Sequence, residues 1–370
     1  MNILEFCLSP DYGGLELHMR DFSRWLADRN DINLCLGLQE NTRLAKALEN
    51  LPVPRLLFPK AAGKFSVFKA KKLAHFVEEN SIDIVHVHWK FDLPIIAFAK
   101  KLCRHNFYFV HTRQMNMPGK KRDLYHRFIY GQMDCFIAIT RYIEKQALVN
   151  LPLAQDKIKQ IYYGVKLPAE VNPERTASLK KQLHIEGEFT IGLLGRISEY
   201  KGQHLLIEAV EKLRAEGIII QAWIVGAAFE PVYLQKLKEM VNKKKLNTQI
   251  HFMDFYEPAM ELMSCFDVIV LTTKNETFGL VLVEAMQAGV AVIGSKAGGV
   301  PEIIDHRETG LLFESWNSTS LANAIKELYQ DKSFRQRLAE AGRKKARTNF
   351  DLETQYSKVV ETFWHLLSRQ

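Results

Sequence analysis

Val268-Ile269-Val270-Leu271, then Glu276-Thr277-Phe278-Gly279-Leu280-Val281-Leu282-Val283-Glu284, then Ala291-Val292-Ile293-Gly294 follow one another closely in this chain. The outer two are short, apolar and rich in β-branched residues, as expected of parallel strands buried on both faces. The middle stretch reads as a helix from Phe278 to Ala288, ended by Gly289. Similar apolar runs recur at Asn2 to Leu8, Ile82 to Val87, Phe107 to Val110, Cys135 to Ile139, Phe189 to Leu194 and Ala222 to Val225. Helical, polar-faced segments lie between them. Strands alternating with helices in this way indicate a doubly wound α/β architecture.

At 370 residues the chain is long for one core, and 47% hydrophobic content supplies apolar surface for two. The expected division is 1–170, 171–349 and a carboxyl-terminal helix over 350–370 that packs back on the first domain. Val171 to Arg175, following Pro168, reads as the linker, and Ser178 to His184 as the start of the second domain. There is no internal repeat and no low-complexity tract.

Glu276 and Glu284 stand eight positions apart, one just before the helix and one inside it. Glu284 is the only charge between Leu280 and Ile293. A carboxylate in such a run is costly unless something hydrogen-bonds it, and sugar or ribose hydroxyls are suitable partners. A buried Lys or Arg would serve equally, so the pair alone decides nothing. The amino end of the helix, with its free N–H groups and positive dipole, points toward whatever Glu276 contacts, which suits a phosphate with a sugar attached.

Two neighbouring stretches strengthen this reading. Gly192-Leu193-Leu194-Gly195-Arg196-Ile197-Ser198-Glu199-Tyr200-Lys201-Gly202 leaves a strand, turns, and enters a helix at about Gln203. Arg196 as a bidentate fork and Lys201 as a point charge can converge on one diphosphate. Loops at the carboxyl ends of parallel strands are where α/β folds bind ligands. Ala297-Gly298-Gly299-Val300-Pro301-Glu302-Ile303-Ile304 follows another strand; its glycines allow close backbone approach and Pro301 suits the first helical position. At the amino end, Tyr12-Gly13-Gly14 separates the first strand from a helix of about Leu15 to Arg29.

Taken in order, Gly13-Gly14, His111 after an apolar strand, Gly195-Arg196 with Lys201-Gly202, Glu276 to Glu284 with Phe278-Gly279, and Ala297 to Glu302 resemble a retaining family 4 glycosyltransferase of the GT-B fold. The resemblance spans nearly the whole chain. It implies two Rossmann-like domains facing a central cleft, the first for the acceptor and the second for a nucleotide-sugar donor. By the same resemblance Gly13, Gly14, Arg196, Lys201, Glu276, Phe278, Gly279, Leu280 and Glu284 bind the donor. Arg196 and Lys201 take the diphosphate, Glu276 the sugar hydroxyls, Glu284 the ribose, and the backbone around Phe278, Gly279 and Leu280 the sugar or phosphate. His111 and Glu276 are the catalytic pair it implies, with His111 facing the reacting sugar. The chain departs from the family pattern at Tyr163-Gly164-Val165-Lys166 and Gly226-Ala227-Ala228, the latter near the expected base pocket.

The function so implied is transfer of a hexose from a nucleotide diphosphate sugar to a glycan or lipid-linked acceptor, as in cell-envelope polysaccharide or lipopolysaccharide biosynthesis. An epimerase or phosphorylase acting on nucleotide sugars would use the same fold. No cofactor and no metal are expected, since no Asp-x-Asp occurs to carry a metal diphosphate. No Gly-x-Gly-x-x-Gly follows any strand, which disfavours a dinucleotide-dependent oxidoreductase.

The net charge of +8 is unevenly spread. Lys100 to Tyr130 holds eight Lys or Arg against one Asp, interleaved with Phe107, Tyr108, Phe109, Tyr125 and Phe128. Lys60, Lys64, Lys69, Lys71 and Lys72 lie beside Phe65 and Phe68. Such surfaces suit an anionic membrane face or anionic glycan, while ordinary solvated helix faces look the same in sequence. No nucleic-acid-binding pattern accompanies them, so nucleic acid is not an expected partner. The five cysteines show no C-x-x-C spacing and read as reduced thiols. Met1 to Leu8 lacks the features of a signal peptide and no apolar run is long enough to span a bilayer, so a cytoplasmic protein, peripheral on the inner membrane face, is expected. His86 and His88, two apart on a strand read as Ile84 to Trp89, share a face. No third metal ligand is evident nearby, and pocket lining is their expected role.

Overall fold

The computed structural model describes residues 1–60, 67–166 and 172–368, and these fall into two compact units. The first comprises Met1–Tyr162 and Gln355–Gln370, the second Tyr163–Thr354. The division therefore lies near Tyr162 and not at residue 170. The physical reason is hydrogen bonding: Val165 N–H donates to the Phe350 carbonyl at 2.8 Å and Leu352 N–H to the Val165 carbonyl at 3.2 Å, which ties this stretch into the second unit. Pro168 and Val171 of the expected linker lie outside the described residues. Glu174 and Arg175 are not linker but helix, Pro173–Gln182, capped by the Asn172 side chain.

In the first unit, seven parallel strands are β1 (Asn2–Cys7), β2 (Asn33–Gln39), β3 (Arg55–Phe58), β4 (Ile84–Val87), β5 (Tyr108–Arg113), β6 (Cys135–Ala138) and β7 (Ile158–Gln160), in the order β3-β2-β1-β4-β5-β6-β7. In the second, β8 (Thr190–Leu194), β9 (Gln221–Val225), β10 (Ile250–Met253), β11 (Val268–Leu271), β12 (Ala291–Ser295) and β13 (Leu311–Phe313) follow the order β10-β9-β8-β11-β12-β13. Both are doubly wound sheets of the Rossmann type, whose direction of winding reverses between β1 and β4 and between β8 and β11. Side chains such as Ile191, Leu206, Val210, Ile224, Val268, Ile293 and Ile325 are fully buried between sheet and helices in the second unit. Phe6, Phe22, Phe109, Phe136, Tyr356 and Phe363 do the same in the first.

The apolar runs of the sequence are all strands, but β2, β3, β7, β10 and β13 were not among them. Four of these lie at or next to a sheet edge, are short, and keep some side chains partly exposed, so they lack a continuous apolar run. β2 is interrupted by Gly37, where a Cβ would come within 2.3 Å of the Phe6 ring. β4 stops at Val87, so His88 lies just beyond the strand.

Candidate functional site

The reversal between β8 and β11 places two loops side by side at the carboxyl ends of neighbouring strands. The first runs from Gly195 through a single 3-10 turn, Glu199–Lys201, to the helix Gln203–Ala215. Gln203 Nε2 donates to the Arg196 carbonyl at 2.9 Å and Thr272 Oγ1 to the Lys201 carbonyl at 2.7 Å, so buried side chains hold this loop from beneath. The second loop carries Glu276 to the helix Leu280–Gln287, shorter at both ends than the sequence suggests. Gly279 begins it with φ of 102°, a conformation that only glycine adopts readily.

Lys201 Nζ donates to Glu276 Oε2 at 2.8 Å, with both side chains mostly buried. Arg196 instead lays its guanidinium over the exposed Phe229 ring, 5.1 Å from the centroid. The two cations thus have separate partners. Gly298 and Gly299 do make a close backbone approach, but to the Glu276 loop: Gly299 N–H donates to the Glu276 carbonyl at 2.8 Å, and a Cβ on Gly298 would lie 1.9 Å from that oxygen. The third glycine stretch is therefore a clamp on Glu276. Phe278 is buried against Tyr163 and Phe350, which leaves its backbone and not its ring for a ligand.

Glu284 lies with Leu280 and Val281 on the less buried side of its helix. No ion pair engages it among the described residues. Burial raises its carboxyl to about 7, so the free protein holds it partly protonated at neutral pH.

In the first unit, Gly13 precedes the helix Gly14–Ala27 and its N–H donates to Glu16 Oε2 at 2.8 Å. His111, on β5, is buried; its Nδ1–H donates to the Val87 carbonyl at 2.9 Å and its Nε2 has no hydrogen-bond partner among the described residues. Burial, and then the charge of Arg113, push its pKa well below the ordinary value. His111 is consequently a neutral ring that presents a bare lone pair.

A third partner for His86 and His88 does exist. Glu5, the lone charge of β1, lies between them, with Oε1 2.8 Å from His86 Nδ1 and Oε2 2.6 Å from His88 Nε2. His86 Nε2 is 2.7 Å from Thr112 Oγ1. Burial would raise the Glu5 carboxyl, yet the charge and hydrogen bonds of His86 and His88 prevail and hold it at about 2. Tetrahedral ligands about 2.0–2.1 Å from a zinc ion would stand more than 3 Å apart. These atoms are at hydrogen-bond distance, so the cluster is a buried polar network. The signal for Glu5 was available in sequence, since it is the same lone charge in an apolar run that singles out Glu284. Nearby, Asp92 accepts from Leu8 N–H at 2.8 Å, and burial raises its carboxyl to about 8.

The basic stretch is less uniform than it looks in sequence. Phe107 and Phe109 are core residues, Lys100 pairs with Asp134, and Arg113 is buried. What remains outside is Lys101, Arg104, Lys120, Arg122 and Arg127, with Leu124 and Tyr125 beside the last three and the leucine 84% exposed. In the other patch, Lys64 and Phe65 lie outside the described residues, and Lys72 donates to the Leu57 carbonyl. Among the described residues no helix is long and apolar enough to cross a membrane.

Two doubly wound units, the second with Lys201, Glu276 and a helix start at its winding reversal, have the architecture of the GT-B fold. Glycosyltransferase Family 4 matches residues 12–167 and Glycosyl transferases group 1 matches residues 174–345. The chain belongs to these glycosyltransferases. It is 25% identical to N-acetyl-alpha-D-glucosaminyl L-malate synthase of Bacillus anthracis, over 97% of this chain and 95% of that one. It is 28% identical to the lipopolysaccharide core biosynthesis glycosyltransferase LpsE of Rhizobium meliloti, over 47% and 48% respectively. Crystal structures of HepE from Anabaena, 25% identical, match it with TM-scores of 0.87 for the complex with UDP and 0.84 for that with UDP-glucose. Each alignment covers 99% of this chain and 100% of HepE.

Proposed function

We propose that this enzyme transfers a hexose from UDP-hexose to a glycan or lipid-linked acceptor of the cell envelope, with retention of configuration and without a metal ion. The observation that carries the reading is the Lys201–Glu276 pair beside the start of the helix Leu280–Gln287, with Glu284 one turn into that helix. Lys201, Arg196 and the helix amides supply positive charge for a leaving diphosphate. Glu276 is an acceptor for sugar hydroxyls and Glu284 for the ribose diol. The uridine donor is supported by the nucleotides held in HepE, and an envelope acceptor by the likeness to LpsE.

In the proposed step the bond from the anomeric carbon to the phosphate oxygen breaks. The departing phosphate takes the proton of the acceptor hydroxyl on the same face, and the acceptor oxygen forms the new bond to that carbon. No separate general base is required. The neutral His111 ring accepts a hydrogen bond from a sugar hydroxyl. Lys120, Arg122, Leu124 and Tyr125 rest on an anionic membrane surface, which makes the enzyme peripheral.

The test is product NMR after reaction with UDP-glucose in buffer containing EDTA. An α-linked product supports the reading. A β-linked product removes the same-face step, and activity restored only by Mg2+ or Mn2+ removes metal independence.

A further inference from the structure

Arg113 ends β5 two residues after His111, on the same face of the strand. It is 5% exposed. Its Nε donates to the Met115 carbonyl at 2.7 Å and its Nη2 to the Asn116 carbonyl at 2.7 Å. Both acceptors are neutral, no carboxylate pairs with it among the described residues, and Nη1 has no partner among them. Guanidinium groups buried to this degree ordinarily meet an anion, because removing the charge from water is not repaid by two carbonyl oxygens. Bracing the Met115–Asn116 turn would need only two neutral donors.

The surroundings fit a ligand. Arg113 interacts electrostatically with His111 and with the phenol of Tyr130, which burial raises and so keeps a neutral donor. A cation and a neutral hydroxyl donor together match an oxyanion. We propose that Arg113, with the Tyr130 hydroxyl, forms a subsite in the amino-terminal unit for a carboxylate or phosphate carried by the acceptor. The inference rests on the glycosyltransferase reading and adds that its acceptor is anionic.

The test uses the full chain with Arg196→Ala and Lys201→Ala, which removes the two cations proposed for the donor diphosphate, and inorganic phosphate and succinate as probes in calorimetry at constant ionic strength. Phosphate or succinate is expected to bind, and Arg113→Gln to weaken that binding at least about tenfold. Preference for phosphate assigns a phosphorylated acceptor, and preference for succinate a carboxylate. Arg113→Lys, which keeps the charge but loses the fork, and Tyr130→Phe are expected to weaken it at least about threefold, so the test survives if Arg113→Gln fails to fold. Failure of both probes to bind, or equal binding in all three variants, overturns the subsite. UDP-glucose binding to a chain altered only at Arg113 separates the two readings: if it persists, loss of the subsite leaves the donor assignment intact, and if the unaltered chain does not bind UDP-glucose, the donor reading itself fails.

Discussion

Lys201 Nζ lies 2.8 Å from Glu276 Oε2, so the cation and the carboxylate proposed for the donor satisfy one another. A donor that brings its own diphosphate and hydroxyls replaces this ion pair with two charge-assisted contacts. Either partner removed alone leaves a mostly buried charge behind.

Glu276→Gln keeps the shape and removes the charge. Turnover should fall at least about tenfold, a barrier change of about 1.4 kcal/mol. UDP affinity should stay the same or rise, because Lys201 is released to the diphosphate. Steady-state rates and calorimetry check both, and an unchanged rate would remove Glu276 from the sugar site.

On the proposed reading, Glu284 should make donor binding pH-dependent. Its carboxyl, raised to about 7 by burial, must be ionised to accept hydrogen bonds from a ribose diol. Affinity for UDP-glucose, whose diphosphate has no group titrating near neutrality, should therefore rise from pH 5.5 to about 7.5 and level off above. Glu284→Gln should flatten the profile, and a sloping profile in that variant would assign the dependence elsewhere.

Gly298→Ala should disturb Glu276 without touching the ligand. The alanine would have to hold φ near 61° with its Cβ 1.9 Å from the Glu276 carbonyl oxygen. Backbone strain of about 1–3 kcal/mol is expected, with a lower melting temperature and slower turnover. Wild-type values for both would show that the clamp yields without moving Glu276.

His111→Ala removes a lone pair that nothing else fills among the described residues. If that lone pair meets the sugar chiefly in the transition state, kcat falls much more than UDP-glucose affinity. Equal losses in both would make it a ground-state contact.

Binding to vesicles rich in phosphatidylglycerol should weaken as salt rises, because exposed charges are screened over about 8–10 Å at ordinary ionic strength. Changing Lys120, Lys121 and Arg122 together to Glu should abolish sedimentation with those vesicles, at about 1 kcal/mol lost per cation removed. Unaltered sedimentation would assign that surface another purpose.

The sequence by itself determined the class of fold and marked the loops proposed to hold the donor. Buried parallel strands must be continuous apolar runs, and the loops that follow them carry their charges and glycines locally, so Gly195 to Gly202 and Glu276 to Glu284 were legible as ligand loops. Partnership was decided by the tertiary structure. Glu5 meets His86 across 81 positions and Lys201 meets Glu276 across 75, because a doubly wound sheet sets strands distant in sequence side by side. The edge strands escaped notice for a related reason: with one side open, they need no unbroken apolar run. Arg113 was visible as one of eight cations in a basic stretch, but only folding buries it with two carbonyl oxygens and, among the described residues, no carboxylate as partner.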